Sequence, residues 1–171
     1  MASPDLELEP RKIVYEIIRD NPGSHLRQID RLLDIPLGTI RYHLRVLEKR
    51  SMIVSRSEGK YKRFYVHGDI DSSDKDRLAV LRKELPRTIV LYLMEYPDST
   101  HTEISQVMDV APSTLTYHLK KLVKDGMINC VDRRYRVKDP EAVADLLIRY
   151  RRTFLDSLVD RFVRIWAKDR G

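Results

Sequence analysis

The fold is indicated by the stretch TIRYHLRVL at residues 39–47, which is followed by Met52 and Ile53. The same pattern returns 75 residues later as TLTYHLKKL at residues 114–122, followed by Met127 and Ile128. Residues 11–56 align with residues 86–131 without a gap, and 12 of these 46 positions are identical. A match that keeps the apolar positions in helical phase predicts one fold used twice.

The apolar spacing around the first copy predicts three short helices. The first runs from Pro10 to about Asp20, and the second follows Ser24 as its cap. The third runs over residues 37–49 with Ile40, Leu44 and Leu47 facing inward. The inner face of the second helix is expected to comprise Leu26, Ile29, Leu32 and Leu33. Two helices joined by a short turn form a helix-turn-helix signature.

A change of period after each third helix predicts a β-hairpin, the wing of a winged helix. Residues 52–56 and 62–66 form the first pair of strands, around a turn at residues 57–60. Residues 128–131 and 135–137 form the second pair, and this hairpin is four residues shorter. The predicted fold is mainly α with small β wings. It comprises two tandem winged helix-turn-helix domains, residues 1–71 and 72–139, and a long C-terminal helix, residues 140–171.

The C-terminal segment predicts a helix that runs to about Lys168, because no helix breaker follows Glu141. Its apolar stripe is about 40 Å long, more than one small domain needs. We interpret it as a dimerisation helix, with packing inside the monomer or on a membrane surface as alternatives. Asp145, Asp156 and Asp160 argue against anionic lipid. The predicted dimer contacts are Leu147, Tyr150, Phe154, Leu158, Phe162 and Ile165.

Positive charge is concentrated in the two units formed by a third helix and its wing. Residues 38–67 contain eight basic and two acidic residues, and residues 113–138 contain seven basic and two acidic residues. Because the whole chain has a formal net charge of +6, the rest of it is net negative. An ordinary solvated helix face would not confine the charge in this way, so the distribution favours a nucleic-acid partner.

The outward faces of the third helices carry groups that can donate to phosphates and base edges. The motif Thr-x-x-x-His-Leu-x-x-Leu, followed by Met-Ile and a basic hairpin, resembles the winged helix-turn-helix of ArsR-like transcriptional regulators. The doubled arrangement resembles tandem winged-helix regulators that are common in archaea. The resemblance implies base or backbone contacts from Thr39, Arg41, Tyr42, Arg45, Lys60, Lys62, Arg63, Thr114, Thr116, Tyr117, Lys120, Arg133 and Arg134. Lys49 and Lys124 lie on the same outward faces and are predicted contacts as well.

The remaining polar residues indicate neither a cofactor nor a metal. Cys130 is the single cysteine, so the cysteine-rich signature of metal-sensing relatives is absent and no metal site is expected. We interpret Cys130 as a partly buried small apolar residue, with redox sensing as the alternative. His43 and His118 are expected to be boundary histidines rather than ligands. The sequence contains no phosphate-cradling glycine loop or nucleophile elbow, so we expect no enzymatic activity.

The sequence therefore predicts a transcriptional regulator that binds double-stranded DNA as a homodimer. A chromatin-like architectural protein with little sequence preference is the alternative. A scaffold that binds only proteins is disfavoured, because its third helices would be apolar rather than basic. The sequence starts without a signal peptide and contains no membrane span, so a cytoplasmic, nucleoid-associated protein is expected. Any small-molecule effector is left open.

Overall fold

The computed structural model describes residues 9–151 and residue 154. The chain divides into two compact units, of which the first ends at Lys75 and the second begins at Asp76. Each unit contains a helix-turn-helix and one three-stranded antiparallel sheet.

Three helices form the first unit's helix-turn-helix and its support. They are α1 (Glu9–Asp20), α2 (Leu26–Leu32) and α3 (Leu37–Lys49), close to the predicted bounds. The prediction that Ser24 caps α2 is wrong, because Ser24 lies in a strand and its hydroxyl donates to the Asn21 carbonyl at 2.8 Å. The cap position is His25, whose backbone N–H donates to Oε1 of Gln28 at 3.1 Å.

The wing of the first unit belongs to a sheet with the order β1-β3-β2. Its strands are β1 (Ser24–His25), β2 (Ile53–Glu58) and β3 (Tyr61–Val66). β2 and β3 pair from Ile53 opposite Val66 to Glu58 opposite Tyr61, so the turn contains only two residues, Gly59 and Lys60. Gly59 has φ 59°, a conformation that glycine adopts without steric cost.

The core of the first unit lies between α1, α2, α3 and the base of the hairpin. The prediction that Leu32 faces the core is wrong, because this residue is 53% exposed. The chain leaves helical geometry at Leu33, and Leu33 packs against the core in place of Leu32. The buried core residues are Val14, Ile18, Ile29, Ile40, Leu44, Leu47, Ile53 and Phe64.

The second unit repeats this order of elements and adds helices at both ends. α4 (Ser72–Leu81) leads into it. α5 (Glu84–Glu95), α6 (His101–Val107) and α7 (Pro112–Lys124) correspond to α1, α2 and α3. β4 (Ser99–Thr100), β5 (Ile128–Val131) and β6 (Arg134–Val137) form a sheet with the order β4-β6-β5. α8 (Pro140–Arg149) follows.

The backbone repeats in detail as well as in outline. Positive φ angles occur at Gly23 (79°) and at its counterpart Asp98 (64°). They occur again at Ser51 (56°) and Gly126 (73°), also 75 residues apart. The N–H groups of Met52 and Met127 donate to the equivalent carbonyls, each at 3.0 Å. The prediction of one fold used twice is therefore confirmed.

The tail departs from the predicted long helix. α8 ends at Arg149, and Tyr150 has left helical geometry with φ −113° and ψ 23°, so the helix is not continuous to Lys168. Leu147, Tyr150 and Phe154 are buried in the second unit, and the Arg87 guanidinium lies 6.0 Å from the Phe154 ring centroid. Leu158, Phe162 and Ile165 lie outside the described residues. None of the helices described is long and apolar enough to cross a bilayer.

Candidate nucleic-acid interface

The third helix of the first unit presents a basic face to solvent. Ile40, Leu44 and Leu47 are buried, and this packing fixes which side of α3 faces outward. The exposed side carries Arg41, Tyr42, Arg45 and Lys49, all predicted as DNA contacts, whereas Thr39 is half-buried. The exposed cations therefore extend along one face of α3.

The wing supplies two more exposed cations in the first unit. Lys60 lies in the turn, with its ammonium 5.3 Å from the Tyr61 ring centroid. Lys62 is also exposed and donates to Oε2 of Glu48 at 3.0 Å. Burial raises the pKa of Glu48, but hydrogen bonds from Ser55 and Lys62 outweigh it and bring the pKa below its usual value. Glu48 therefore stays ionised and joins α3 to the wing.

Arg63 differs from the other predicted wing contacts because it is buried. The residue is 9% exposed, and Nη1 donates to the Gly23 carbonyl at 2.8 Å. Nε lies 3.2 Å from Oε1 of Glu58. A buried guanidinium needs such partners, because an uncompensated charge there would be costly. Arg63 therefore holds the wing to the loop before β1, and its predicted contact with a DNA backbone stays a prediction.

In the third helix of the second unit, all three basic residues are lysines. Thr114, Tyr117, Lys120 and Lys124 are exposed, as an outward face requires, and Tyr117 is 62% exposed. Thr116 is half-buried, and its hydroxyl donates to the Pro112 carbonyl at 2.9 Å. The same hydroxyl lies 2.9 Å from Nε2 of His101. These bonds compete with the predicted base contact of Thr116.

The second wing places both predicted arginines at the surface. Arg133 lies in the turn with φ 61°, and its neighbour Asp132 has φ 50°. Arg134 is exposed, and Nη1 donates to the Asp98 carbonyl at 2.9 Å. Arg136, which sequence reasoning did not single out, forms a bidentate ion pair with Asp98. Hydrogen bonding from Arg136 lowers the pKa of Asp98, although partial desolvation opposes this shift.

The two repeated histidines lie beside the repeated tyrosines. Tyr42 and His43 are edge-to-face with ring centroids 5.2 Å apart, and Tyr117 and His118 are 5.1 Å apart. His43 is buried, and its pKa is lowered by burial first and by Arg11 second. Within the described residues, no group of three or more His, Cys, Asp or Glu side chains could hold a metal ion.

Cys130 is exposed, so the prediction that it is partly buried is wrong. It lies opposite Tyr135 near the end of β5. Cys130 lies on the same face of β5 as the buried Ile128, but only Ile128, at the base of the strand, is covered by the core. The sequence does not show how far along the wing this cover extends.

Two copies of a helix-turn-helix, each followed by a β-hairpin and each with an exposed basic face on its third helix, define a tandem winged helix-turn-helix protein. Residues 8–78 match the family model described as an N-terminal HTH domain. Residues 82–129 match the family model described as winged helix-turn-helix DNA-binding. The chain therefore carries two helix-turn-helix domains in tandem.

A relative from Methanocaldococcus jannaschii is described as an uncharacterised HTH-type transcriptional regulator. It is 33% identical to this chain over 129 residues, which cover 75% of this chain and 32% of the relative. The chain thus spans about a third of that relative's length. The similarity supports the helix-turn-helix assignment, whereas the narrower resemblance to ArsR-like regulators stays a prediction.

Proposed function

We propose that the protein is a transcriptional regulator that binds double-stranded DNA through the third helix and the wing of each unit. The observation that carries the proposal is the exposed basic face of α3 and of α7, each followed by an exposed basic wing turn. Helices with this chemistry can enter a major groove, while wing cations neutralise the flanking phosphates. The relative's description as a transcriptional regulator supports the same role.

The test is fluorescence anisotropy with a labelled duplex between 50 and 200 mM salt. The logarithm of the affinity should fall with the logarithm of salt concentration, with a slope of roughly −0.9 per phosphate neutralised. Arg45→Glu combined with Lys120→Glu should abolish most of the binding. The matched control is Lys12→Glu combined with Lys83→Glu, which changes the net charge equally outside both third helices and wings. Equal losses in both double variants, or no binding at all, would contradict the proposal.

An architectural role is the second candidate, because both units of the chain carry the same kind of basic face. Such a protein would bind most sequences equally and associate with the nucleoid. Footprinting on genomic DNA separates the two roles. A regulator should protect a few sites and prefer a selected sequence over random DNA by about 10³-fold or more. Broad protection without that preference would favour the architectural role.

We further propose that the protein is a homodimer in which Leu158, Phe162 and Ile165 supply the contacts. Leu147, Tyr150 and Phe154 are buried within the second unit, so their first role is to stabilise that unit. The apolar spacing continues in the sequence beyond them. Sedimentation equilibrium should give a dimer for the wild type and a monomer for Leu158→Glu combined with Phe162→Glu. A wild type that is monomeric at every concentration would remove this part of the proposal.

A further inference from the structure

A cleft of about 720 Å³ lies between the third helix and the wing of the first unit, and we call it the helix–wing cleft. Its sides are the start of α2, one face of α3 and the distal part of the β2–β3 hairpin. Sites that enclose small organic ligands typically have volumes of several hundred Å³. The cleft is therefore large enough for a molecule rather than a single ion.

The floor of the helix–wing cleft is apolar. Leu26, Leu44 and Phe64 line it, and Leu44 and Phe64 are also part of the buried core. A floor made by the core itself is held in place by the packing beneath it. An apolar surface of a ligand would gain free energy by covering this floor and displacing water from it.

The walls of the cleft are cationic. Among the residues described, Glu48 is the one carboxylate in the lining, and it already accepts hydrogen bonds from Ser55 and Lys62. The structure gives Arg27, Arg41 and Arg45 no hydrogen-bond or ion-pair partner among residues 9–151. Three guanidinium groups thus surround an apolar floor without a compensating anion.

The second unit differs at the positions that form this cleft. His101 stands where the first unit has Leu26, and Thr116 stands where it has Arg41. The distance of 2.9 Å between Nε2 of His101 and Oγ1 of Thr116 is a hydrogen bond that joins α6 directly to α7. The second wing also lacks the two residue pairs that bring Lys60, Tyr61 and Lys62 to the first cleft. The helix–wing cleft therefore depends on substitutions that separate the two copies.

Charge and apolar surface together restrict the occupant. A phosphodiester strand or an inorganic anion would compensate the guanidinium groups but would leave the apolar floor uncovered. An uncharged apolar molecule would cover the floor and leave the cations uncompensated in a partly enclosed space. We propose that the helix–wing cleft binds a small amphipathic organic anion. Its apolar body covers Leu26, Leu44 and Phe64, and its acidic group meets Arg27, Arg41 and Arg45.

Such a ligand competes with DNA, and this consequence rests on the proposed function. Arg41 and Arg45 line the cleft and also stand on the face of α3 that is proposed to contact DNA. An acid bound between them neutralises charge that phosphates or base edges would otherwise meet. Ligand binding itself needs no DNA, so the two proposals can fail separately.

The first experiment measures binding to the full chain, without DNA, by isothermal titration calorimetry. The probes are naphthalene-2-sulfonate, methanesulfonate and naphthalene-2-sulfonamide, which carry the ring and the acid, the acid alone and the ring alone. Naphthalene-2-sulfonate should bind at least roughly tenfold more tightly than either of the others, because only it uses both surfaces. Methanesulfonate binding equally well, or no binding of any probe, would overturn the proposal.

The chain itself supplies the matched variants. Leu26→His combined with Arg41→Thr transfers the pair found in the second unit, and it should reduce naphthalene-2-sulfonate binding at least roughly tenfold. His101→Leu combined with Thr116→Arg makes the reverse change and should leave probe binding unaltered. If the variant with Leu26→His and Arg41→Thr fails to fold, Arg27→Gln replaces one exposed residue and should weaken probe binding several-fold. Unchanged probe affinity in Arg27→Gln and in the double variant would place the probe elsewhere and refute the assignment.

A final measurement adds DNA. Saturating naphthalene-2-sulfonate should weaken duplex binding by the wild type, and it should have no such effect on Leu26→His with Arg41→Thr. Duplex affinity that does not change with the probe would refute the competition. A protein that binds the probe but no duplex would refute the proposed function and leave the cleft assignment standing.

Discussion

The two wings begin alike and end differently. The base of the first hairpin is the pair Ile53 and Val66, and the base of the second is Ile128 and Val137. Arg63 and Arg134 both stand in the fourth residue pair from the base. Each arginine donates to the carbonyl of the residue before the first strand, at 2.8 and 2.9 Å. The first wing then continues for two further residue pairs, whereas the second turns at once.

The extra pairs of the first wing change the surroundings of the shared arginine. Glu58 lies 3.2 Å from the Arg63 guanidinium, and Tyr61 stacks on His25 with ring centroids 4.3 Å apart. These contacts bury Arg63, while Arg134 remains exposed. One hydrogen bond therefore occurs in two environments within a single chain. Its contribution to stability should follow the burial rather than the distance.

The largest effect we expect is on stability, and it compares these two arginines. Arg63→Ala should destabilise the first unit by about 2–3 kcal/mol, because Glu58 and the Gly23 carbonyl lose a charged partner in a buried site. Arg134→Ala should destabilise the second unit by a small fraction of that. Hydrogen exchange of the full chain in urea resolves the β1–β3 and β4–β6 sheets separately. Similar losses of protection in both sheets would show that burial does not set the contribution.

The next effect concerns DNA affinity and compares the third helices. Arg45→Ala should weaken duplex binding by roughly tenfold, because a guanidinium can contact a base edge with two hydrogen bonds. Lys120→Ala should weaken binding less and should act equally on all sequences, as loss of a phosphate contact does. Anisotropy titrations on a selected and a random duplex measure both. Equal losses would remove the idea that the units read DNA differently.

A smaller effect is expected at the bend after each third helix. Ser51 and Gly126 hold equivalent positions with φ 56° and 73°, a region that disfavours residues with a Cβ. Gly126→Ser should destabilise the second unit by about 1 kcal/mol, since nothing within 4 Å of the added Cβ would add a clash to the backbone cost. Ser51→Gly should stabilise the first unit by about 0.5 kcal/mol after the unfolded-state entropy of glycine is counted. Urea midpoints of the two variants should thus move in opposite directions.

The smallest effect we expect is a loss of stability in mild acid that depends on His43. The pKa of His43 is below its unfolded value of about 6.5, so the neutral ring contributes stability that is complete above that pH. This stability is lost as the pH falls from about 6.5 through the folded-state pKa, because the unfolded chain takes up the proton first. His43→Gln should therefore lose less stability than the wild type between pH 7 and pH 5. An identical pH dependence in the two proteins would exclude His43 as the source.

Much of this fold can be predicted from the sequence, because its signals are local. The third helix was predicted at residues 37–49 and is found there, since Ile40, Leu44 and Leu47 repeat at helical spacing. Because the sequence repeats, the same helices and strands can be predicted for the second unit from its alignment with the first. The basic faces of α3 and α7 follow from the same phase, because fixing the apolar side of a helix also fixes the exposed side.

The features that the sequence did not reveal depend on contacts between distant residues. A two-residue strand at Ser24 has no periodicity to recognise, and only its pairing with Phe64 defines it. Arg63 looks like any wing cation until its bond to a carbonyl 40 residues earlier is seen. The helix–wing cleft likewise requires α2, α3 and the hairpin to be in place at once. Charge counting cannot separate a cation that holds the fold from one that faces a ligand.

The position of the arginine–carbonyl bond along the wing has a consequence for engineering. It ties the fourth residue pair of each hairpin to the loop before the unit's first strand, while the four residues by which the wings differ lie wholly beyond that pair. The tips of the two hairpins should therefore tolerate lengthening, shortening or exchange between the two units without changes to the helical core. Such a graft would alter the surface that a ligand contacts and leave the rest of the unit unchanged.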